Sequence, residues 1–138
     1  MAEKIRKVDY FYIEIPDKPG EGAKVLAAVR DAGINLLGFT AFPRGRWGAQ
    51  IDFIPEDAAA FKTAARKAGL KLSAKKTGFL IQGEDRPGAF ADIMRKLAAV
   101  NVNVTASDAV CAGEGRYGAM LWVKPADVRK AARALGAT

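Results

Sequence analysis

Asp17-Lys18-Pro19-Gly20 occurs a second time as Asp85-Arg86-Pro87-Gly88, in each case after a strand-like apolar run and before a helix-like one. A displacement of 68 positions relates the two copies. The same displacement superimposes residues of like character elsewhere: Phe11 on Phe79, Ile13 on Ile81, Val25 on Ile93, and Asn35 on Asn103. Agreement at so many positions indicates that the chain is built from one unit used twice.

The first unit has the pattern strand, helix, strand, strand, helix, strand. Alternating apolar residues predict strands, helical spacing of apolar residues predicts helices, and Gly33 is placed to end the first helix. The predicted strands cover 8–15, 34–42, 47–54 and a short 70–74, and the predicted helices cover 21–32 and 55–68. This order is the split βαβ arrangement of ferredoxin-like domains, an antiparallel sheet with both helices on one face. The fold class is therefore α+β.

The second unit repeats this order but ends early. Strands are predicted at 77–82, 102–111 and 117–124, and helices at 88–99 and 125–135. The remaining residues, 136–138, are too short to supply a last strand, so one sheet edge is expected to be bare. An unpaired edge invites pairing with the other repeat or with another subunit. The domain boundaries are placed at 1–75 and 76–138.

Face parity predicts how each sheet is covered. With Phe79 and Ile81 toward the helices, Leu80, Met120 and Trp122 lie on the far face of the second sheet, where an isolated domain should be polar. Something is expected to cover that face. The corresponding residues of the first unit are more polar, so its far face is expected to be the wetter one; they are Tyr10, Tyr12, Gln50 and Asp52.

The composition excludes several function classes. The 138 residues include no histidine and one cysteine, Cys111, which rules out an internal disulfide, a histidine-based zinc or haem site, and Ser/His or Cys/His catalysis. Cys111 is expected to be a small half-buried hydrophobe. No cofactor, metal or catalytic residue is predicted. No apolar run is long enough to cross a bilayer. We therefore expect a cytoplasmic protein without a membrane partner. The net charge of +7 favours acidic partners or simply solubility.

The repeated unit resembles the ACT domain. The resemblance rests on Asp-x-Pro-Gly between the first strand and first helix and on an Asn at the start of the second strand, and it covers nearly the whole chain. It implies a tandem ACT protein, from a family of regulatory modules that bind amino acids or related metabolites, commonly between paired domains. Such a protein is expected to form a homodimer and to act on a separate enzyme or regulator.

The resemblance also implies six ligand-binding residues: Asp17, Gly20, Asn35, Asp85, Gly88 and Asn103. Elementary chemistry supports the loop positions, because unpaired amides at a helix N-terminus favour a carboxylate and glycine lets a ligand approach the backbone. Asp17 or Asp85 would then hold an ammonium group. The same residues also suit plain structural roles, since Asp before Pro-Gly is an ordinary helix start and Asn an ordinary turn residue.

Two other functions remain open. One is an ACT-type dimerisation or protein-interaction module that binds no ligand. The other is RNA binding, which is less favoured: residues 46–53 and 116–123 partly resemble the third strand of RNA-recognition domains, but Ala49 and Ala119 stand where a base-stacking aromatic is needed. Trp47 and Tyr117 would be the residues to stack on a base.

Overall fold

The computed structural model describes residues 3–46 and 48–138, so the predicted role of Trp47 lies outside the described residues. These residues form six strands and four α-helices. The strands are β1 (Lys4–Pro16), β2 (Leu36–Arg44), β3 (Gly48–Pro55), β4 (Lys76–Glu84), β5 (Val104–Gly113) and β6 (Arg116–Val123). The helices are α1 (Glu21–Asp31), α2 (Ala58–Lys67), α3 (Ala89–Ala99) and α4 (Val128–Leu135), the last preceded by a 3-10 turn at Pro125–Asp127.

The chain divides into two compact units. The first unit is Asp9–Lys76, and the second is Thr77–Thr138 together with the beginning of the chain up to Val8. The boundary between the two repeats lies between Lys76 and Thr77. The beginning of the chain does not follow the expectation of a first domain at 1–75, because these residues pack with the second unit.

The first unit is an antiparallel sheet in the order β2–β3–β1, with α1 and α2 covering a core of aromatic rings. Phe11 lies opposite Phe53 across the β1–β3 pair, and Phe61 from α2 packs on both, with ring centroids 5.6 and 5.2 Å away. Helix α2 begins at Asp57, whose carboxylate accepts a hydrogen bond from the Ala60 amide at 3.0 Å. This side-chain cap satisfies one of the amides left free at a helix start.

The predicted fourth strand at 70–74 is wrong, although the segment lies where the strand was expected. The Ser73 amide donates to the carbonyl of Tyr12 at 2.9 Å, as in a strand pair. The return bond from the Tyr12 amide goes instead to the Ser73 hydroxyl, also at 2.9 Å. A side-chain oxygen therefore replaces the backbone acceptor, and the regular ladder is not formed. Leu70 and Leu72 still pack on the first unit's core.

The second unit fills its expected bare edge with the first residues of the chain. Its sheet runs β1–β4–β6–β5, and the part of β1 up to Val8 occupies the place of the missing last strand. On the other side of β1, the Lys7 amide donates to Thr138 at 3.0 Å and the Thr138 amide donates to Ile5 at 3.1 Å. Ile5 joins the core formed by Phe79, Ile81 and α3. Thr138 therefore pairs with β1, while the amides of Gly136 and Ala137 donate to carbonyls of α4.

The far faces of both sheets carry buried residues. Leu80 and Trp122 lie outside the helix-side core of the second unit and are both buried, in agreement with the expectation that this apolar face is covered. In the first unit, the expectation of a wet face is wrong for Asp52, which is only 8% exposed and accepts a hydrogen bond from Gln50 at 3.0 Å. Burial, followed by the nearby Asp52 charge, raises the pKa of Tyr10 to about 12.

Candidate functional site

Two glycines shape the repeated loops. Gly20 and Gly88 precede α1 and α3 with φ angles of 90° and 78°, in the left-handed region that glycine adopts without strain. Neither helix has a side-chain cap at this position. The first amides of both helices therefore point out of the helix end without a capping side chain, as the repeated motif predicts.

The loop of the first unit is open to solvent. Asp17 and Gly20 are both exposed, and the turn is held by a hydrogen bond from the Lys18 amide to the Pro16 carbonyl at 3.0 Å. A broad depression of about 780 Å³ lies nearby, but neither Asp17 nor Gly20 lines it; its lining is Glu14, Ile15, Pro16, Lys18 and Gly48. The predicted site residues of this loop are thus exposed and do not line the nearby depression.

The loop of the second unit borders a groove of about 410 Å³. Asp85 and Gly88 both line it, as do residues of α3, β5 and β6. The full lining is Asp85, Arg86, Gly88, Ala89, Phe90, Ala91, Ala109, Val110, Cys111 and Tyr117. This volume lies within the range of small-molecule sites in proteins, roughly 300–1,000 Å³. The two copies of the motif therefore differ: Asp85 and Gly88 line this groove, whereas Asp17 and Gly20 do not line the depression beside their own loop.

Asp85 is held in place from two directions. Its amide donates to the Gly115 carbonyl at 2.8 Å, and the Cys111 thiol donates to its Oδ2 at 2.7 Å. Cys111 is exposed, so the expectation of a half-buried hydrophobe is wrong. The hydrogen bond to Asp85, followed by partial desolvation and the Asp85 charge, raises the pKa of the Cys111 thiol. The thiol consequently stays protonated at neutral pH and serves as a donor that orients the carboxylate.

Arg86 is tied to the first turn of α3. Its guanidinium lies 2.6 Å from Asp92 Oδ2, and Arg95 donates to the other Asp92 oxygen at 3.3 Å. The hydrogen bond from Arg86, followed by the one from Arg95, lowers the pKa of Asp92. The bond between Arg86 and Asp92 also raises the pKa of Arg86. The Asp92 carboxylate thus pairs with both guanidinium groups, that of Arg86 before α3 and that of Arg95 within it.

Tyr117 forms part of the groove and connects it to the start of the chain. It is 7% exposed, and its hydroxyl donates to Glu3 Oε2 at 2.7 Å. Burial, followed by this hydrogen bond, raises the pKa of Tyr117. Gly83 makes room for the pair, since a Cβ there would lie 2.8 Å from the Tyr117 ring and 3.0 Å from Glu3. The sequence marks Tyr117 as a strand aromatic and as a residue that could stack on a base, and nothing in its spacing indicates a groove.

Asn35 and Asn103 do not lie with the loops of their own units. In the first unit, Pro16 pairs with Gly48 at one end of β3, whereas Leu36, next to Asn35, pairs with Pro55 at the other. Eight residues of strand separate the two ends, on the order of 23 Å at 3.3 Å per residue. Asn35 instead donates to Glu56 at 3.3 Å. In the second unit, Val104, next to Asn103, pairs with Val123 at one end of β6, whereas Glu84, next to Asp85, pairs with Arg116 at the other.

No protein-family model and no curated protein matches the chain. Solved structures do match. A protein from Bacteroides thetaiotaomicron superimposes with a TM-score of 0.80 at 17% identity, over 96% of this chain and 88% of that one. The regulatory subunit of aspartate kinase from Thermus thermophilus superimposes with a TM-score of 0.65 at 21% identity, over 98% and 93%. The chain has a tandem ACT fold. The aspartate kinase of Clostridium acetobutylicum superimposes with a TM-score of 0.56 at 15% identity, and the match covers 98% of this chain and 33% of that one.

The tandem ACT fold places Tyr117 where it cannot stack on a base. Its ring belongs to the helix-side core of the second unit and is buried, whereas RNA-recognition domains use exposed aromatics on the opposite sheet face. Among residues 3–46 and 48–138, no cluster of acidic or cysteine side chains could hold a metal ion. No helix in the same ranges is long and apolar enough to span a membrane.

Proposed function

We propose that this tandem ACT chain is a regulatory protein, not an enzyme, that binds an amino acid in the groove of its second unit. One observation carries the proposal: Asp85, oriented by Cys111, and the uncapped start of α3 line the same groove. A free amino acid carries an ammonium and a carboxylate on one carbon atom. A fixed carboxylate beside free helix amides matches both groups.

The two ends of the ligand bind to different parts of the loop. Asp85 Oδ1, which accepts no bond from Cys111, receives the ammonium. The amides of Phe90 and Ala91 have no acceptor in the described part of the chain, and they donate to the carboxylate. The positive end of the helix dipole adds to this attraction. Gly88 leaves open space for the ligand at the junction, since a Cβ there would meet nothing within 4 Å.

The first loop is proposed as a weaker site of the same kind. Asp17 and Gly20 offer the same groups, but both are exposed and neither lines the nearby depression, so a ligand there would be less covered. Asn35 and Asn103 each lie at the end of their unit opposite the Asp-x-Pro-Gly loop. They can therefore contact a ligand only where it is held at an assembly interface, and this remains a prediction. A homodimer would provide such an interface.

Regulation would act through a partner. The likeness to a protein named as a regulatory subunit of aspartate kinase supports a role of this kind. The proposed mechanism is a population shift, in which the bound amino acid favours one arrangement of the protein that a separate enzyme or regulator recognises. The second candidate is an interaction module without ligand. The exposed β5 edge favours it, because an open strand edge of ten residues can pair with another copy of the chain.

A thermal-shift screen of the twenty amino acids tests the proposal. A ligand at a hundredfold excess over its Kd stabilises the native state by about 2.7 kcal/mol, which raises the melting temperature by several degrees. Asp85→Asn keeps the shape and an acceptor for Cys111 but removes the charge that holds the ammonium, so the shift should largely disappear. Asp17→Asn is the matched control and should keep it.

Two outcomes would contradict the proposal in different ways. If no amino acid at millimolar concentration raised the melting temperature, the interaction module would be the better account. If Asp17→Asn removed the shift and Asp85→Asn did not, amino-acid binding would stand but its placement in the second unit would be wrong.

A further inference from the structure

From the lining of the groove, we infer that it selects amino acids with an apolar side chain over charged or polar ones. This inference rests on the proposed amino-acid site and concerns the part of the ligand beyond the α-carbon. The evidence is the distribution of charge along the groove and the residues that face its far part.

A basic side chain finds no partner in the groove. Asp85 is the only acidic residue among those that line it, and the α-ammonium uses it. Arg86 also lines the groove, and its positive charge disfavours a second cation there. A lysine-like ammonium would therefore lose hydration without gaining an ion pair, which is strongly unfavourable.

An acidic side chain is also disfavoured. Arg86 is the only cation that lines the groove, and it is already paired with Asp92 at 2.6 Å. A carboxylate on the ligand would have to compete with Asp92 for Arg86, and it would lie close to the negative charge of Asp85. The charges that are present in the groove are thus matched to the α-amino and α-carboxyl groups alone.

The rest of the lining is apolar. Ala89, Phe90 and Ala91 contribute from α3, and Ala109 and Val110 contribute from β5. Val110 is 71% exposed, which is unusual for a large apolar side chain, and a ligand in the groove would cover it. Each methylene that a ligand buries improves affinity roughly fourfold. The small alanines leave space for a branched or extended side chain.

Isothermal titration with ligand pairs of matched shape tests the inference. The pairs are valine with threonine, leucine with asparagine, and methionine with lysine. We expect the apolar member of each pair to bind more tightly, by about 10- to 100-fold for valine over threonine, since an apolar pocket rejects an added hydroxyl to that extent. Binding of all six ligands to Asp85→Asn should be lost.

Two protein variants locate the effect. Val110→Thr keeps the shape and the strand preference at an exposed position, so the fold should be retained, and leucine affinity should fall by roughly threefold to tenfold. Met94→Gln is the control: Met94 is an exposed apolar residue of α3 that does not line the groove, and its replacement should leave leucine affinity unchanged.

The outcomes separate the inference from the proposal beneath it. If threonine, asparagine and lysine bound as tightly as their apolar partners, the selectivity would be wrong while amino-acid binding stood. If Val110→Thr and Met94→Gln changed leucine affinity equally, the apolar contact would lie outside this groove. If none of the six amino acids bound, the proposed amino-acid site itself would be wrong.

Discussion

The first residues of the chain should stabilise the second unit, and Ile5 measures by how much. Ile5 is 7% exposed and belongs to the same core as Phe79 and Ile81. Ile5→Ala removes three buried carbon atoms, each worth about 0.8 kcal/mol, or roughly 2.4 kcal/mol together. Core Ile→Ala replacements cost about 2–5 kcal/mol when a cavity remains. Because an edge strand can relax, we expect a loss of about 2–3 kcal/mol in the free energy of unfolding.

Urea unfolding followed by Trp122 fluorescence is the assay, in a Trp47→Phe background so that the signal reports the second unit. Lys7→Ala is the control, because Lys7 is exposed and its backbone bond to Thr138 survives the change. That variant should lose no more than about 0.5 kcal/mol. Equal midpoints for Ile5→Ala and the parent protein would refute the placement of β1 in the second sheet.

Two further predictions concern the first unit. Ser73→Ala removes the acceptor of the Tyr12 amide and should lower the free energy of unfolding by about 1 kcal/mol, whereas the exposed Ser107→Ala should have no effect; urea unfolding followed by far-UV circular dichroism, which reports both units, measures the two variants. Tyr10 has a folded pKa raised to about 12 from an ordinary value of 10.0, so its neutral form contributes stability that is complete below pH 10 and is lost as the pH rises to 12. The free energy of unfolding of the parent, relative to that of Tyr10→Phe, should therefore fall over that interval. Parallel curves of stability against pH for the two proteins would show that burial beside Asp52 does not raise the pKa of the Tyr10 hydroxyl.

The repeat predicted the fold because its two copies share the same local preferences for strands, turns and helices. Apolar alternation places Phe11 and Phe79 in equivalent strands, and positive-φ glycines at positions 20 and 88 are what a strand-to-helix turn of this kind requires. The observed α1 ends one residue earlier than expected, and β2 is displaced by two residues toward the C-terminus. Such differences are normal at element ends, where backbone hydrogen bonds stop gradually.

The edges of the sheets could not be predicted in the same way. Ile5 has the same parity as Phe11, so the strand pattern in fact begins earlier than 8, but the surrounding Lys4, Arg6 and Lys7 conceal it. Which sheet these residues join is decided by long-range pairing with β4, to which Thr138 adds two hydrogen bonds, and not by local preference. The opposite error arose at Ser73, where the pattern suits a strand and one hydroxyl changes the hydrogen bonding.

The candidate site was only partly readable from the sequence. The motif located Asp85 and Gly88, because a repeated loop before a helix has a recognisable chemistry. It could not show that Cys111 and Tyr117 complete the groove, since these come from strands far along the chain. The role of Asn35 came from the resemblance to the ACT domain, and the sheet register places it at the opposite end of its unit from Asp17 and Gly20, so it stays a prediction for a ligand at an assembly interface.

Amide NMR tests the central claim most directly. In ¹H–¹⁵N spectra of the protein titrated with leucine to saturation, the account predicts the largest shift changes at the amides of Phe90 and Ala91, at the start of α3. The corresponding amides of α1, Gly22 and Ala23, should move little. Saturable changes confined to Gly22 and Ala23, or no changes at all with leucine or any other amino acid, would contradict a ligand site in the second unit.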